Sequence, residues 1–241
     1  MSLGPLEAIT FDCWGTLIVD RAPVDGRGSL EARIEALARI GGIDAGTARE
    51  LLTVAWRRHH DAWYEGRNYG AAGMAAFCLD EIGVDDARRD RLIEAFEQAS
   101  MELGVEVVAG APEALTEVRR RGLRTALVCD TGFTPGRIVR QLLAGHDLLE
   151  HLELLVFSDE VGVPKPHEKM FRTALAGLDV EASDAAHIGD LRRTDIAGGR
   201  AAGMRTVRFA GVNDDPSEHP EADHVIRSWG ELPALLDGGT T

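Results

Sequence analysis

The sequence predicts an α/β protein: a doubly wound, Rossmann-like parallel sheet carrying an inserted α-helical cap domain. Three observations lead there. Beyond Gly110, short apolar runs alternate with amphipathic helical segments, as in a parallel sheet covered by helices on both faces. One strand-like run, "LEAITF" (Leu6–Phe11), stands apart near the start of the chain. Between the two lies Ser29–Gly104, where the pattern is helical throughout, and that stretch is too long for a crossover loop. The expected core is therefore residues 1–19 and 105–241, and the expected cap is residues 20–104.

Each element has a local reason. In the insertion, "SLEARIEALARIGG" opens on a Ser suited to capping and stops at Gly41-Gly42. "DAGTARELLTVAWRRHHDAWYEG", "AAGMAAFCLDEIG" and "DDARRDRLIEAFEQASMELG" supply three further helices. In the core, "PEALTEVRRRG" is a helix with Pro in its first turn, followed by the strand "LRTALVCD" and the helix "PGRIVRQLLAG". Strand "LELLVFSDEVG" and helix "HEKMFRTALAGL" follow, then strand "DAAHIGD", helix "TDIAGGRAAG" and strand "MRTVRFA". An acidic loop, "GVNDDPSEHPEAD", leads to a last strand, "ADHVIRS", and a last helix, "WGELPALLDGG".

Bulk composition narrows the partners. The 241 residues contain 44% hydrophobic side chains, enough for a sizeable core, and carry a formal net charge of −14. A field of that sign repels nucleic acid and anionic membranes. It does not exclude an anionic small molecule, because a local positive group outweighs distant charge. The three cysteines, Cys13, Cys78 and Cys129, have neither metal-site spacing nor the even count of a disulfide framework, which points to a reducing cytoplasm. No apolar run approaches the roughly 20 residues of a membrane span, and no secretory signal is expected. Oligomeric state is not legible.

Ligands of parallel sheets bind beyond the carboxyl ends of the strands. Four such ends carry chemistry here. The first gives Asp12, with Thr16 in the turn that follows; the second gives Cys129, Asp130, Thr131 and Gly132. The third leads to Lys165, held between Pro164 and Pro166, and the fourth to "HIGDLRRTD", with Asp190 and Asp195. Three carboxylates crowded at one mouth repel unless a cation joins them, and a hard divalent ion such as Mg²⁺ suits oxygen ligands. Asp195 is as compatible with capping a helix or supporting a ligand as with binding the metal itself. His187 reads as a packed strand residue. His59 and His60 point about 100° apart on a helix and do not form a metal pair.

This set of motifs, in this order and with a helical insertion after the first, resembles the haloacid dehalogenase superfamily of hydrolases. The resemblance covers nearly the whole chain and implies a haloacid dehalogenase-like core. It makes Asp12 the nucleophile of a covalent aspartyl intermediate. The backbone carbonyl of Trp14 becomes a Mg²⁺ ligand with Asp12, Asp190 and Asp195, and Lys165 the charge-balancing lysine. Thr16, Cys129, Asp130, Thr131 and Gly132 become the phosphate-binding turns, with either the Thr131 hydroxyl or the turn amides making the contact. In this architecture the cap chooses the substrate, and its candidates are Arg57, His60, Trp63 and Tyr64 in the segment "WRRHHDAWYEGRNY".

Two motifs depart from the family pattern. The second motif has Cys129-Asp130 where a hydroxyl residue and Asn are usual. More consequentially, Trp14 stands where the phosphatases carry an aspartate that protonates the leaving alcohol. The dehalogenase branch has an aromatic residue there and uses no metal, yet Asp190 belongs to the metal-binding form. The expected activity is Mg²⁺-dependent hydrolysis of a small phosphorylated metabolite. The alternatives are a metal-independent 2-haloacid dehalogenase and a catalytically weak or inactive binder of phosphorylated ligands.

Overall fold

The computed structural model describes residues 2–21, 28–84 and 86–237. Residue 85 of the predicted fourth insertion helix and residues 238–239 of the predicted last helix lie outside the described residues. By packing, the chain divides into two compact units: Met1–Val19, Val107–Asp130 and Leu143–Thr241 form one, and Asp20–Glu106 with Thr131–Leu142 the other.

The first unit is built on a six-stranded parallel sheet. Its strands are β1 (Ala8–Phe11), β4 (Arg124–Cys129), β5 (Leu154–Phe157), β6 (Ala185–Gly189), β7 (Arg205–Phe209) and β8 (His224–Ile226). They run in the order β5-β4-β1-β6-β7-β8. Going outward from β1, chain order runs one way through β4 and β5 and the other way through β6, β7 and β8. The reversal between β1 and β6 is the topological switch point where doubly wound sheets bind their ligands. β1 and β6 are central and wholly buried, as parallel strands covered on both faces must be. Helix α5 (Ala111–Arg120) starts with Pro112 in its first turn, as predicted. Helix α8 (Glu168–Leu178) packs Met170, Phe171, Ala174 and Leu178 with Ala126, Val128 and Val156 in one apolar cluster. The predicted strand "LELLVFSDEVG" is shorter than expected, because Ser158–Val161 coil into a short helix, α7.

The second unit holds the four helices of the insertion: α1 (Ser29–Gly41), α2 (Ala45–Tyr64), α3 (Gly70–Ile82) and α4 (Arg89–Leu103). Helix α1 begins one residue earlier than a Ser29 cap requires. Gly28 is the capping residue, and its N–H donates to the Glu31 carboxylate at 3.1 Å. Asp44 caps α2 by accepting the Thr47 N–H at 3.0 Å. Leu37, Leu52, Met74, Leu79, Leu92 and Phe96 fill the unit's core. Two short strands the pattern did not reveal, β2 (Ile18–Asp20) and β3 (Val105–Val107), form a separate two-stranded sheet. The remaining α-helices among the described residues are α6 (Gly136–Gly145), α9 (Ala197–Ala201) and α10 (Leu232–Leu236).

Candidate active site

Strand register assembles the site. Phe11 pairs with Leu127 on one side and Ile188 on the other. Asp12 therefore leaves β1 level with the ends of β4 and β6, beside the residues leading to Asp130 and Asp190. Asp12, Asp190 and Asp195 are all buried, and one carboxylate oxygen from each lies within 4.8 Å of the others.

Lys165 enters this cluster almost completely buried. Its ammonium donates to Asp12 Oδ1 at 2.6 Å and to Asp195 Oδ1 at 2.7 Å. Its own backbone N–H donates to Asp130 Oδ1 at 2.8 Å. Asp130, expected in a phosphate-binding turn, thus anchors the lysine loop. The Thr16 hydroxyl donates to Asp12 Oδ2 at 3.0 Å, so Thr16 fixes the carboxylate that the sequence reading made the nucleophile.

Asp195 is engaged on both oxygens. Oδ1 accepts from Lys165 and lies 3.2 Å from His187 Nε2; Oδ2 accepts the Leu191 N–H at 3.0 Å. A carboxylate only accepts, so His187 Nε2 is the donor. The other ring nitrogen, Nδ1, lies 2.8 Å from the Thr10 hydroxyl on β1. His187 is packed, as expected, and it also braces Asp195. That link could not be read from spacing, since it depends on β1 and β6 being neighbours.

Asp190 is held by a residue the sequence reading passed over. Asn213 Nδ2 donates to Asp190 Oδ2 at 3.0 Å. The only hint in the sequence is that Asn213 is the third residue of the acidic loop beyond a core strand, where ligand-facing residues gather.

The electrostatics follow from burial. Burial lifts the Asp12 carboxyl to about 6 against the pull of Lys165. Burial, with Asp12 and Asp195 nearby, lifts Asp190 to about 8. Burial also opposes the charge on Asp195, yet the Lys165 ammonium and the His187 hydrogen bond hold that carboxyl below its ordinary range. For Lys165 burial again opposes the charge, and Asp12, Asp195 and Asp130 together hold it above the ordinary lysine value. The charge is unbalanced: at neutral pH Asp12 and Asp195 outnumber the one ammonium, and a cation that displaces the Asp190 proton gains a third carboxylate donor. Hard oxygen donors with surplus negative charge fit a divalent cation such as Mg²⁺.

The other expected residues lie elsewhere or do other work. The Cys129 thiol donates to the Asp130 carbonyl at 3.3 Å, and burial pushes it well above the usual thiol range. It is a packed group, fully buried at the end of β4. Trp14 is half-buried in the turn after β1, bridged to Ile18. Thr131 and Gly132 belong to the second unit by packing. There a Cβ on Gly132 would meet His59 Nε2 at 3.2 Å, while Trp56 stacks on Phe133 at 5.2 Å between ring centroids. His59 is buried, its Nδ1 accepts the Gly70 N–H at 3.3 Å, and burial pushes its imidazole down to about 4. Arg57, His60, Trp63 and Tyr64 all lie on α2, where the His60 ring sits 5.4 Å from Trp63 and 4.7 Å from Tyr64.

The comparisons with known proteins agree with this architecture. The mouse (Mus musculus) haloacid dehalogenase-like hydrolase domain-containing protein 3 is 29% identical over 250 residues, covering 96% of this chain and 94% of its own. A phosphoserine phosphatase from Thermus thermophilus is 38% identical over 148 residues, 59% of this chain and 56% of that protein. Among solved structures, a 2-haloacid dehalogenase from Pseudomonas syringae pv. Tomato DC3000 superimposes with a TM-score of 0.71 at 21% identity, covering 96% of this chain and 98% of that one. At that identity the likeness speaks for the fold alone. The sequence model of the haloacid dehalogenase-like hydrolases matches residues 6–203, and the chain belongs to that family of hydrolases.

Proposed function

We propose that the protein is a Mg²⁺-dependent phosphatase that hydrolyses a small phosphorylated metabolite through an aspartyl-phosphate on Asp12. The observation that carries this reading is the buried Asp12–Asp190–Asp195 cluster with Lys165 inside it. A haloacid carries its own negative charge, and a metal-free site would set it against the Asp12 and Asp195 carboxylates, which outnumber the single Lys165 ammonium. The phosphatase name of the Thermus relative supports the same reading.

In this reading Asp12, with Thr16 and Lys165 each fixing one of its oxygens, attacks phosphorus as the bond to the leaving oxygen breaks, and water then cleaves the aspartyl-phosphate to release phosphate and restore Asp12. Lys165 and the turn after β4 hold phosphoryl oxygens. Asp12, Asp190 and the Trp14 backbone carbonyl would hold Mg²⁺, which when bound neutralises charge on the phosphoryl group. Asp195, its oxygens already engaged, orients Lys165. Arg57, His60, Trp63 and Tyr64 are proposed to read the rest of the substrate. Trp14 provides no acid for the leaving group, so acyl and aryl phosphates are the favoured class. The three cysteines, all free and buried, fit a reducing cytoplasm.

The test is phosphate release from p-nitrophenyl phosphate and acetyl phosphate, with Mg²⁺ and with EDTA, beside an Asp12→Asn control. Release that needs metal and disappears in the control is expected. Metal-independent release would overturn the proposal. The one feature favouring dehalogenation is the aromatic Trp14. Halide release from 2-chloropropionate in EDTA, absent from Asp12→Asn, would establish that alternative, and ligand-induced stabilisation without any turnover would favour a binder.

A further inference from the structure

We propose that Asn213 is a positioning residue for the cation site: it occupies one oxygen of Asp190 and so decides which oxygen faces the metal. The inference rests on the Mg²⁺ reading above. The Asn213 amide donates to Asp190 Oδ2 at 3.0 Å, which leaves Oδ1 as the oxygen without that donor. The turn after β1 makes room for the pair. Gly15 sits at φ +77°, and a Cβ there would lie 2.6 Å from Asp190 Oδ2 and 3.2 Å from Asn213 Nδ2. A side chain at Gly15 would therefore displace the amide–carboxylate contact itself.

The mount of Asn213 is built for this. The loop reads as an acidic surface segment, yet it is tied down just beyond Asn213. Asp215 Oδ2 accepts the Arg192 N–H at 2.7 Å, and Asp215 Oδ1 accepts the Ser217 N–H at 2.8 Å. The Arg192 guanidinium donates to the Ser217 carbonyl at 2.9 Å and to Glu221 at 2.8 Å. Arg208 on β7 donates to Asp214 at 2.9 Å and to Glu221 at 2.8 Å. Arg192 lies two residues beyond Asp190 in the chain. One network thus grips both the segment that carries Asp190 and the loop that carries Asn213. Removing a partner that orients a metal ligand typically costs about 10- to 100-fold in metal affinity or activity.

The experiment uses the full chain without substrate. Melting temperature is followed as Mg²⁺ is added, and the half-saturating concentration is compared between the unaltered protein and Asn213→Ala. Asn213 is exposed, and the metal-free melting temperature serves as the folding control. The expected result is a half-saturating Mg²⁺ concentration at least about tenfold higher in the variant. Equal half-saturation in the two proteins would overturn the inference while leaving the metal reading in place. No Mg²⁺ response in the unaltered protein would remove the metal reading and this inference with it.

Discussion

An indole two residues after Asp12 limits the leaving groups the proposed site can handle. Its N–H is not acidic and it offers no usable lone pair, so it can neither protonate an alkoxide nor activate water. General acid–base catalysis is typically worth about 10²–10⁴-fold. Replacing Trp14→Asp should therefore raise hydrolysis of an alkyl phosphate such as glycerol phosphate by roughly 10²-fold, with less effect on acetyl phosphate. Steady-state rates on the two substrates measure this, and an equal change on both would mean that Trp14 acts on binding and not on proton transfer. Asp195 shows the opposite relation between residue type and role. The sequence left Asp195 open between ligand and support, and its contacts with Lys165, His187 and the Leu191 N–H tie it to the lysine and to the turn after β6.

The stretch from β6 into α9 shows how an element can be recognised while its working detail is missed. The segment "TDIAGGRAAG" was expected to be an ordinary helix, yet Arg192–Ile196 form a π-helical turn before α9. Such wide turns gather at functional positions. This one returns the Asp195 side chain to the Leu191 N–H and over Gly189. A Cβ on Gly189 would lie 2.3 Å from Asp195 Cγ. Gly189→Ala should push Asp195 away from Lys165, destabilise the protein by about 1–3 kcal/mol and depress activity. Urea unfolding monitored by circular dichroism checks the first effect, and an unchanged midpoint would show that Asp195 shifts without strain. Strands β2 and β3 escaped notice for another reason: three residues are too few to display a period of two.

For the molecule as a whole, the acidic cluster couples stability to pH and to metal. Asp190 has an ordinary value of 3.8 and is lifted to about 8 by burial and its acidic neighbours. The folded state therefore retains a proton that the unfolded chain has already released. Stability from this group is complete below pH 4 and is lost as pH rises through about 8; Asp12, lifted to about 6, adds in the same direction. In EDTA the melting temperature should fall as pH rises from 5 to 8, and the rise produced by Mg²⁺ should grow over the same range. Differential scanning calorimetry at fixed ionic strength tests this, and a Mg²⁺ effect independent of pH would contradict it. None of the described helices is long and apolar enough to cross a membrane.

The alternation of strands and helices, the helical insertion and the acidic residues at successive strand ends were all legible in the sequence. Periodicity, caps and turn residues act over a few positions, so they are written where they act. The same local pattern put Asp12, Lys165, Asp190 and Asp195 at one mouth, because a parallel sheet sends all its strand ends the same way. What it could not carry was the pairing among them. Thr10 reaches His187 across 177 positions and Asn213 reaches Asp190 across 23, both contacts depending on strand order and register. The Cys129 thiol turns to the Asp130 carbonyl, and the Asp130 carboxylate accepts the Lys165 backbone N–H, two partners that a strand-end motif does not specify. Such contacts form only after the chain has buried its apolar faces, when each buried polar group must take whichever partner the packed sheet has brought within reach.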